Sequence, residues 1–381
     1  MRAYDVIVMG CGAMGAAALF HCARRGLRSL GIERFRRGHA FGSSHGHSRI
    51  IRQAYFEHAD YVPLVRRSYE LFRELEEEAG EPLMVQTGAI FAGRPESEVV
   101  QGSVRSARMH GIAYEMLDGA ELARRFPQFT PPPGLVAVWE PSAGFVRPEA
   151  TVLAHLRRAE ALGAEVLEET RVESWRTIGD RVEVETSRGQ FLARQVVVAA
   201  GPWSAQLLPR HAPLLRPTRQ PIVWLDAEPD ARATHAAPTM PVWLFDRDDR
   251  AAVYGIPSHP MLDGPRGMKV ALHGGGARID VEALDRRVDA AEIDAVVEAV
   301  REVVPRAVGR VTAASICVYT NSPDSHFIVH RIADAHAIVA CGFSGHGFKF
   351  APLIGEAIAQ LASDGRTPHP IEFLSGARFG L

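Results

Sequence analysis

The first 33 residues carry the strongest constraint on what this chain can fold into. Tyr4–Met9 has the apolar run of a buried strand (Val6, Ile7, Val8), and Gly10-Cys11-Gly12-Ala13-Met14-Gly15 follows it without a break. Ala16 to Arg25 reads as a helix of small residues, Gly26 ends it, and Ser29–Ile32 is a second strand closing on Glu33. Strand, spaced glycines, helix, strand and acid in this order form a βαβ unit of the dinucleotide-binding kind. Gly10 is expected to make the tight turn, and Gly12 to let the backbone approach a pyrophosphate. Gly15 would allow close helix–strand packing, with the helix N-terminus facing the phosphates. Glu33, 23 residues after Gly10, is placed to accept hydrogen bonds from a ribose.

Composition narrows the partners. The 43 basic residues comprise 41 arginines and two lysines, Lys269 and Lys349, against 45 acidic residues, for a net charge of −2. A chain so close to neutral has no electrostatic footprint for nucleic acid or an anionic membrane. At 46% apolar and 23% charged it is neither disordered nor fibrous. The four cysteines (Cys11, Cys22, Cys317, Cys341) show no paired spacing, so a reducing cytoplasm is the expectation. Asp5 and the glycines make the apolar N-terminal stretch folded structure rather than a leader. No stretch reaches the roughly 20 apolar residues of a membrane helix.

Further along, the spacing of Leu64, Leu71, Phe72, Leu75 and Ala79 predicts an amphipathic helix from Pro63 to Ala79, stopped by Gly80. From Thr87 to Pro141 glycine and proline break the pattern into short pieces. A helix follows from Pro148 to Leu162, then strands around Val166, Val172 and Val182–Glu185. The buried-strand pattern Val196–Ala200 ends on Gly201. Residues 216–309 are rich in strands and loops, with Val270–His273 a strand and Ala291–Val303 a helix. Ala337–Cys341 is a strand running through Gly342–Gly347 into a helix from Phe348 to about Leu361. The expected fold is therefore α/β and discontinuous. Residues 1–85, 145–215 and 310–381 would form a Rossmann-like dinucleotide-binding domain; residues 86–144 and 216–309 would form an α+β substrate domain on a mixed or antiparallel sheet.

The opening unit alone does not separate NAD from FAD. Three downstream stretches do: Gly42 through Arg52 (GSSHGHSRIIR), Ser315 through Thr320 (SICVYT) and Gly342 through Phe350 (GFSGHGFKF). Together they resemble the monomeric sarcosine oxidase family, which includes N-methyltryptophan and pipecolate oxidases and is related to D-amino-acid oxidase. The resemblance runs over essentially the whole chain. It implies FAD, attached covalently from Cys317 to the flavin 8α-carbon, a step that needs a soft thiolate nucleophile. It places Gly10, Gly12, Ala13, Met14, Gly15, Glu33, Arg34, Ser43, Ser44, His45, Arg49, Ile50, Val172, Ala200, Gly201 and Trp203 on the cofactor. Phe343, Ser344, Gly345, His346, Gly347 and Lys349 of the late glycine-rich turn join them.

The resemblance also assigns a substrate side. Arg52 and Lys349 would hold a carboxylate, a guanidinium fork and an ammonium doing so by charge-assisted hydrogen bonds. Tyr55, Tyr254, Phe245 and His346 would line the pocket, and Lys269, Arg49, His273 and Tyr319 would serve the chemistry, with Lys269 beside the position where O2 reacts. Lys269 and His273, four apart on a strand, are expected on one face. His45 and His47 look like metal ligands in isolation, but no third ligand lies at a useful spacing, so no metal is expected. The implied reaction is oxidation of a secondary amino acid to an imine that hydrolyses, with O2 reduced to H2O2, by a monomer. Ala54-Tyr55-Phe56-Glu57-His58-Ala59-Asp60 departs from the sarcosine pattern at 56 and 59. A larger N-methyl amino acid, pipecolate or proline is therefore the alternative substrate. Rival classes are a flavin dehydrogenase of the same fold and a non-catalytic flavin-binding protein.

Overall fold

The computed structural model describes residues 3–381. It is built around a parallel sheet: Ala3–Met9 pairs with Ser29–Ile32 on one side and with Gly189–Val198 on the other. Glu165–Leu167 extends one flank and Ala337–Cys341 the other, all parallel. The hairpin Val172–Ile178/Arg181–Thr186 adds antiparallel strands to the early part of Gly189–Val198, and Ile328–Ile332 pairs antiparallel with Ala337–Cys341. Ser29–Ile32, Ala337–Cys341, Val6–Met9 and Val196–Val198 are short apolar runs buried on both faces, as a parallel sheet covered on both sides requires.

Helices Ala13–Arg24, Tyr61–Ala79, Pro148–Ala161 and Ala351–Asp364 pack together over one face of the sheet in the largest apolar cluster. The first and last cross closely: a Cβ on Gly355 would lie 2.5 Å from the Ala17 carbonyl carbon. The first helix begins at Ala13, three residues before the expected Ala16, because the last glycine of the turn already lies in its opening turn. Tyr61–Ala79 likewise starts two residues before Pro63, whose missing N–H costs nothing in a first turn. Its end is as expected, with Gly80 left-handed at φ 66°.

The second sheet has eight strands, carrying residues from 89 to 140 and from 216 to 321. All its pairings are antiparallel except Ala89–Gly93 with Val242–Arg247, so it is mixed. The expected division grouped 310–321 with the nucleotide-binding stretches. Strand Arg310–Asn321 pairs along its length with Arg216–Asp226 of this second sheet instead. Helix Ala290–Val303 covers one face through Val296, Val300 and Val303. A three-stranded sheet (Arg49–Ile51, Gly144–Val146, Met84–Gln86) joins the two halves.

The broken stretch 87–141 holds two helices that periodicity did not reveal, Glu98–His110 and Gly119–Arg125. Gly102, a helix-weakening residue in the sequence, sits there because a Cβ would meet the Phe56 carbonyl oxygen at 2.3 Å. The helix lies directly against the loop 52–60.

Candidate active site

The carboxyl ends of the parallel strands open into a cleft, the position where open α/β sheets bind ligands. Three turns make its walls: Gly10–Met14 after the first strand, Ala199–Trp203 after Gly189–Val198, and Gly342–Gly347 after Ala337–Cys341. Gly10 is left-handed at φ 92°, and a Cβ there would meet the Ala199 carbonyl oxygen at 2.7 Å. Gly15 does not line the cleft; a Cβ on it would sit 1.8 Å from the Gly10 oxygen, so it sets how closely helix and turn approach.

The first helix has no side-chain N-cap and no acid in its first turn. Its N-terminus faces the cleft with backbone N–H groups and the positive end of its dipole. Ser44 Oγ accepts from Ala13 N at 3.0 Å. Glu33 closes the second strand with one oxygen on Cys11 N (2.8 Å) and the other on Phe35 N (3.0 Å), its carboxylate lining the cleft. Arg34, Val172, Ala200, Gly201 and Trp203 surround this outer end. Arg34 stacks over the Trp203 ring at 5.5 Å and makes two bonds to Glu282. Cys11, His39, Thr170 and Arg171 also line it, and sequence reasoning did not single them out for a site.

At the inner end the cleft reaches Ser43, Arg49, Cys317, Tyr319, Thr320, Phe343, Ser344, Gly345 and Gly347. Arg49 Nη2 lies 3.4 Å from Cys317 Sγ and 3.0 Å from the Ser43 oxygen it donates to, so the thiol faces a fixed guanidinium. Gly345 is required by the Tyr319 ring, which a Cβ would meet at 2.3 Å. Lys349 lies in a 3₁₀ turn (Phe348–Phe350) that precedes the last helix rather than inside it.

The residues present fit a flavin dinucleotide. The cleft offers a glycine cradle and an uncapped helix start at one end. At the other it offers a thiol and the buried Thr320 hydroxyl, which has no hydrogen-bond partner among the described residues.

Beyond that inner end lies a group of charged and aromatic side chains. Arg52, 4% exposed, donates to the Ala54 oxygen (3.1 Å) and pairs with Glu57. Its guanidinium lies over the Tyr55 and Phe56 rings, 4.2 and 4.0 Å from their centroids. Burial works against the Glu57 carboxylate, but Arg52, His346 and Lys349 hold it down at about 2. Lys349, 6% exposed, donates to the His346 oxygen at 2.8 Å; burial lowers it to about 7, Arg52 pushes the same way, and Glu57 opposes. His346 Nε2–H donates to the Ser325 oxygen (2.9 Å), so its Nδ1 accepts from the Tyr55 hydroxyl at 2.5 Å. Burial lowers this imidazole to about 3 and keeps it neutral. His273 Nδ1 is 3.4 Å from the Tyr319 hydroxyl.

The loop carrying Arg52 and Tyr55 is held by the buried Glu140, which accepts from Gln53 N and Ala54 N at 2.8 and 2.9 Å. Ser106 Oγ donates to the Tyr55 oxygen at 2.6 Å. Lys269, 2% exposed, donates to the carbonyls of Gly46 (3.0 Å) and Ser48. It shares a strand face with Ala271 and His273 and also lines a second cavity with His47, Trp224 and Gly267.

Three expected site residues fall elsewhere. Phe245 packs against Phe129 (5.5 Å) and Trp243 in the core beneath helix Ala290–Val303. Strand alternation instead turns its neighbour Leu244, paired with Tyr254, toward Phe56 and Phe91. His45 lies behind the cleft wall, buried and lowered to about 3 by burial, its Nε2 without a partner. Ile50 packs in the small apolar cluster with Phe91 and Phe145. Glu57 was passed over as a site residue, although an acid five residues after Arg52 on one loop was visible in the sequence.

The FAD dependent oxidoreductase (DAO) family matches residues 5–361. Among curated proteins, "Monomeric sarcosine oxidase" of Streptomyces avermitilis is 42% identical over 376 residues, covering 97% of this chain and 96% of its own. "N-methyl-L-tryptophan oxidase" of Salmonella heidelberg is 33% identical over 369 residues, covering 96% of each. The solved structure of NikD, an unusual amino acid oxidase essential for nikkomycin biosynthesis, aligns over 98% of both chains with a TM-score of 0.84 at 24% identity. L-proline dehydrogenase from P. horikoshii aligns over 100% of this chain and 98% of its own, with a TM-score of 0.81 at 23% identity. At those identities the structural likeness is one of fold. The family match over nearly the whole length, together with the two curated relatives, makes this chain a member of the FAD dependent oxidoreductase family.

Proposed function

We propose that the protein oxidises a secondary, N-methyl amino acid of the sarcosine kind, as a monomer in the cytoplasm. It would use FAD held covalently by Cys317, with O2 as electron acceptor. The observation that carries this reading is one convergence. Cys317 and Arg49 end the dinucleotide cleft with buried Lys269 beside them, and the buried Arg52 and Lys349 lie together near His273, which meets the cleft-lining Tyr319. The two curated relatives, named for oxidases of N-methyl amino acids, support it. The four free cysteines are consistent with a reducing compartment. In this reading the parallel-sheet stretches form the cofactor domain, and the mixed sheet forms the substrate domain.

Bound FAD would supply the two-electron oxidation of the C–N unit and the later reaction with O2. The chain binds and orients. Arg52 and Lys349 take the substrate carboxylate, which displaces Glu57 from the guanidinium. One anion replaces another, so the buried Arg52 is never left unpaired. Neutral His273 and the Tyr254–Tyr319 hydroxyls accept or donate hydrogen bonds at the amine without adding charge beside it. Burial also holds His273 below its usual value, with Lys349 and Arg52 acting the same way against Glu57. Lys269 offers its remaining N–H donor to the developing negative charge on reduced oxygen. For sarcosine, water and O2 go in, and glycine, formaldehyde and H2O2 come out.

An anaerobic flavin-bleaching screen tests the substrate class across sarcosine, N-methyl aromatic amino acids, pipecolate and proline. Bleaching by an N-methyl amino acid followed by stoichiometric H2O2 in air is expected. Bleaching without peroxide would make the protein a dehydrogenase, and no bleaching by any of them would end the reading. Acid precipitation tests the link at Cys317: yellow colour stays with the pellet.

A further inference from the structure

Lys269 has no carboxylate within ion-pair distance, yet it is buried among cationic and neutral groups. Its two hydrogen bonds go to the carbonyls of Gly46 and Ser48, on a short loop whose other side is just as specifically held. There Glu149, in the first turn of helix Pro148–Ala161, accepts from Gly46 N at 2.7 Å and from His47 N at 3.1 Å to each oxygen. Gly46 and His47 are both left-handed, at φ 96° and 64°. Their two N–H groups converge on the one carboxylate. A Cβ on Gly46 would meet Ile222 at 2.9 Å, Arg49 at 3.3 Å and Lys269 Nζ at 3.9 Å, so glycine lets the loop pack closely on the side where the lysine lies.

We infer that Glu149 is the positioning residue for Lys269, acting through the Gly46–His47 peptide, whose N–H it accepts and whose carbonyl Lys269 donates to, to fix the ammonium and favour its charged form. A carboxylate on the N–H side of a peptide strengthens its carbonyl as an acceptor. The loop therefore passes the attraction of Glu149 across to Nζ without an ion pair that would take the lysine's last donor. A direct carboxylate partner would neutralise the cation that the oxygen reaction uses; one set behind a peptide wall stabilises it and leaves it free. The other groups around Nζ are Arg49 and Cys317 on the cleft side and the imidazoles of His45 and His47 on the loop. Burial first, and then Arg49, push the ammonium well below its ordinary value; Cys317 and Glu149 oppose them in part. The inference rests on the reading of Lys269 as the oxygen-side lysine.

The chain's lysine content makes the test direct. With two lysines in the sequence, flavin-loaded protein grown on [13Cε]lysine gives two side-chain resonances, and Lys349→Arg assigns them. In Glu149→Gln the titration midpoint of Lys269 is expected to fall by about one unit. Its flavin reoxidation by O2, measured above that midpoint, slows by about tenfold, while the Lys349 resonance and the anaerobic reductive rate stay put. Glu149→Asp keeps the charge on a shorter reach and gives a midpoint between the two; it carries the test alone if the glutamine variant does not fold. An unmoved Lys269 midpoint in the folded variant overturns the coupling. A shifted midpoint with oxygen rates untouched, in both Glu149→Gln and Lys269→Met, overturns the oxygen reading of Lys269 and leaves the coupling standing.

Discussion

The two ends of the cleft are built from different material. At the outer end the ligand-facing surface is mostly backbone: glycine turns, an uncapped helix start and the ends of three parallel strands. At the inner end it is side chain: a guanidinium shared with a carboxylate, a half-titrated ammonium and two tyrosine–histidine pairs. A backbone site has its geometry set by φ and ψ and tolerates little. A side-chain site has its properties set by charge and burial, and can be retuned one residue at a time.

The sharpest break in that comparison is expected at Gly15. Its Cβ would fall 1.8 Å from the Gly10 oxygen, so Gly15→Val separates helix from turn. Protein that still folds is expected to carry almost no flavin, read from visible absorbance per mole of chain. Next comes Phe245→Ala, predicted to cost about 3–5 kcal/mol of stability, seen as a lowered Tm, with KM unchanged. Leu244→Ala should do the reverse, altering KM with a smaller loss of stability.

Smaller effects belong to the charged group. Lys349→Met removes one charge-assisted bond to the carboxylate, raising KM roughly 10- to 100-fold. Because burial lowers Lys349 to about 7, its ammonium discharges as pH rises through that value. KM should therefore be lowest below about pH 7 and climb above it, and Lys349→Arg should flatten the climb. The mildest change is Glu57→Gln, which removes the internal competitor for Arg52. It is expected to lower KM on the order of a few-fold.

The same division explains what could be read in advance. Gly10, Gly12 and Gly15 announce a backbone site because their spacing is the geometry, and the cleft lies where they placed it. Cys317, Arg49 and Lys349 were legible only through resemblance to a family, since one cysteine or one lysine has no pattern of its own. Phe245 shows the limit on a strand: a register error of one residue sends the side chain to the opposite face, and Leu244 takes its place. Glu57 and Glu149 escaped for another reason. Their partners are one guanidinium and two peptide N–H groups, and the fold alone brings Glu149 to Gly46, a hundred residues away in the chain. Helix Glu98–His110 was hidden by Gly102, whose purpose is visible only against the Phe56 backbone.

Both lysines are interior, 2% and 6% exposed, so the outside of this protein is cationic through guanidinium alone. Reagents that seek a primary amine, from activated esters to aldehydes, find no lysine target on it. Formaldehyde, which the proposed reaction releases from sarcosine, is one such aldehyde. An enzyme making it beside its own surface would there meet no lysine ammonium groups, the side chains through which aldehydes most readily cross-link proteins.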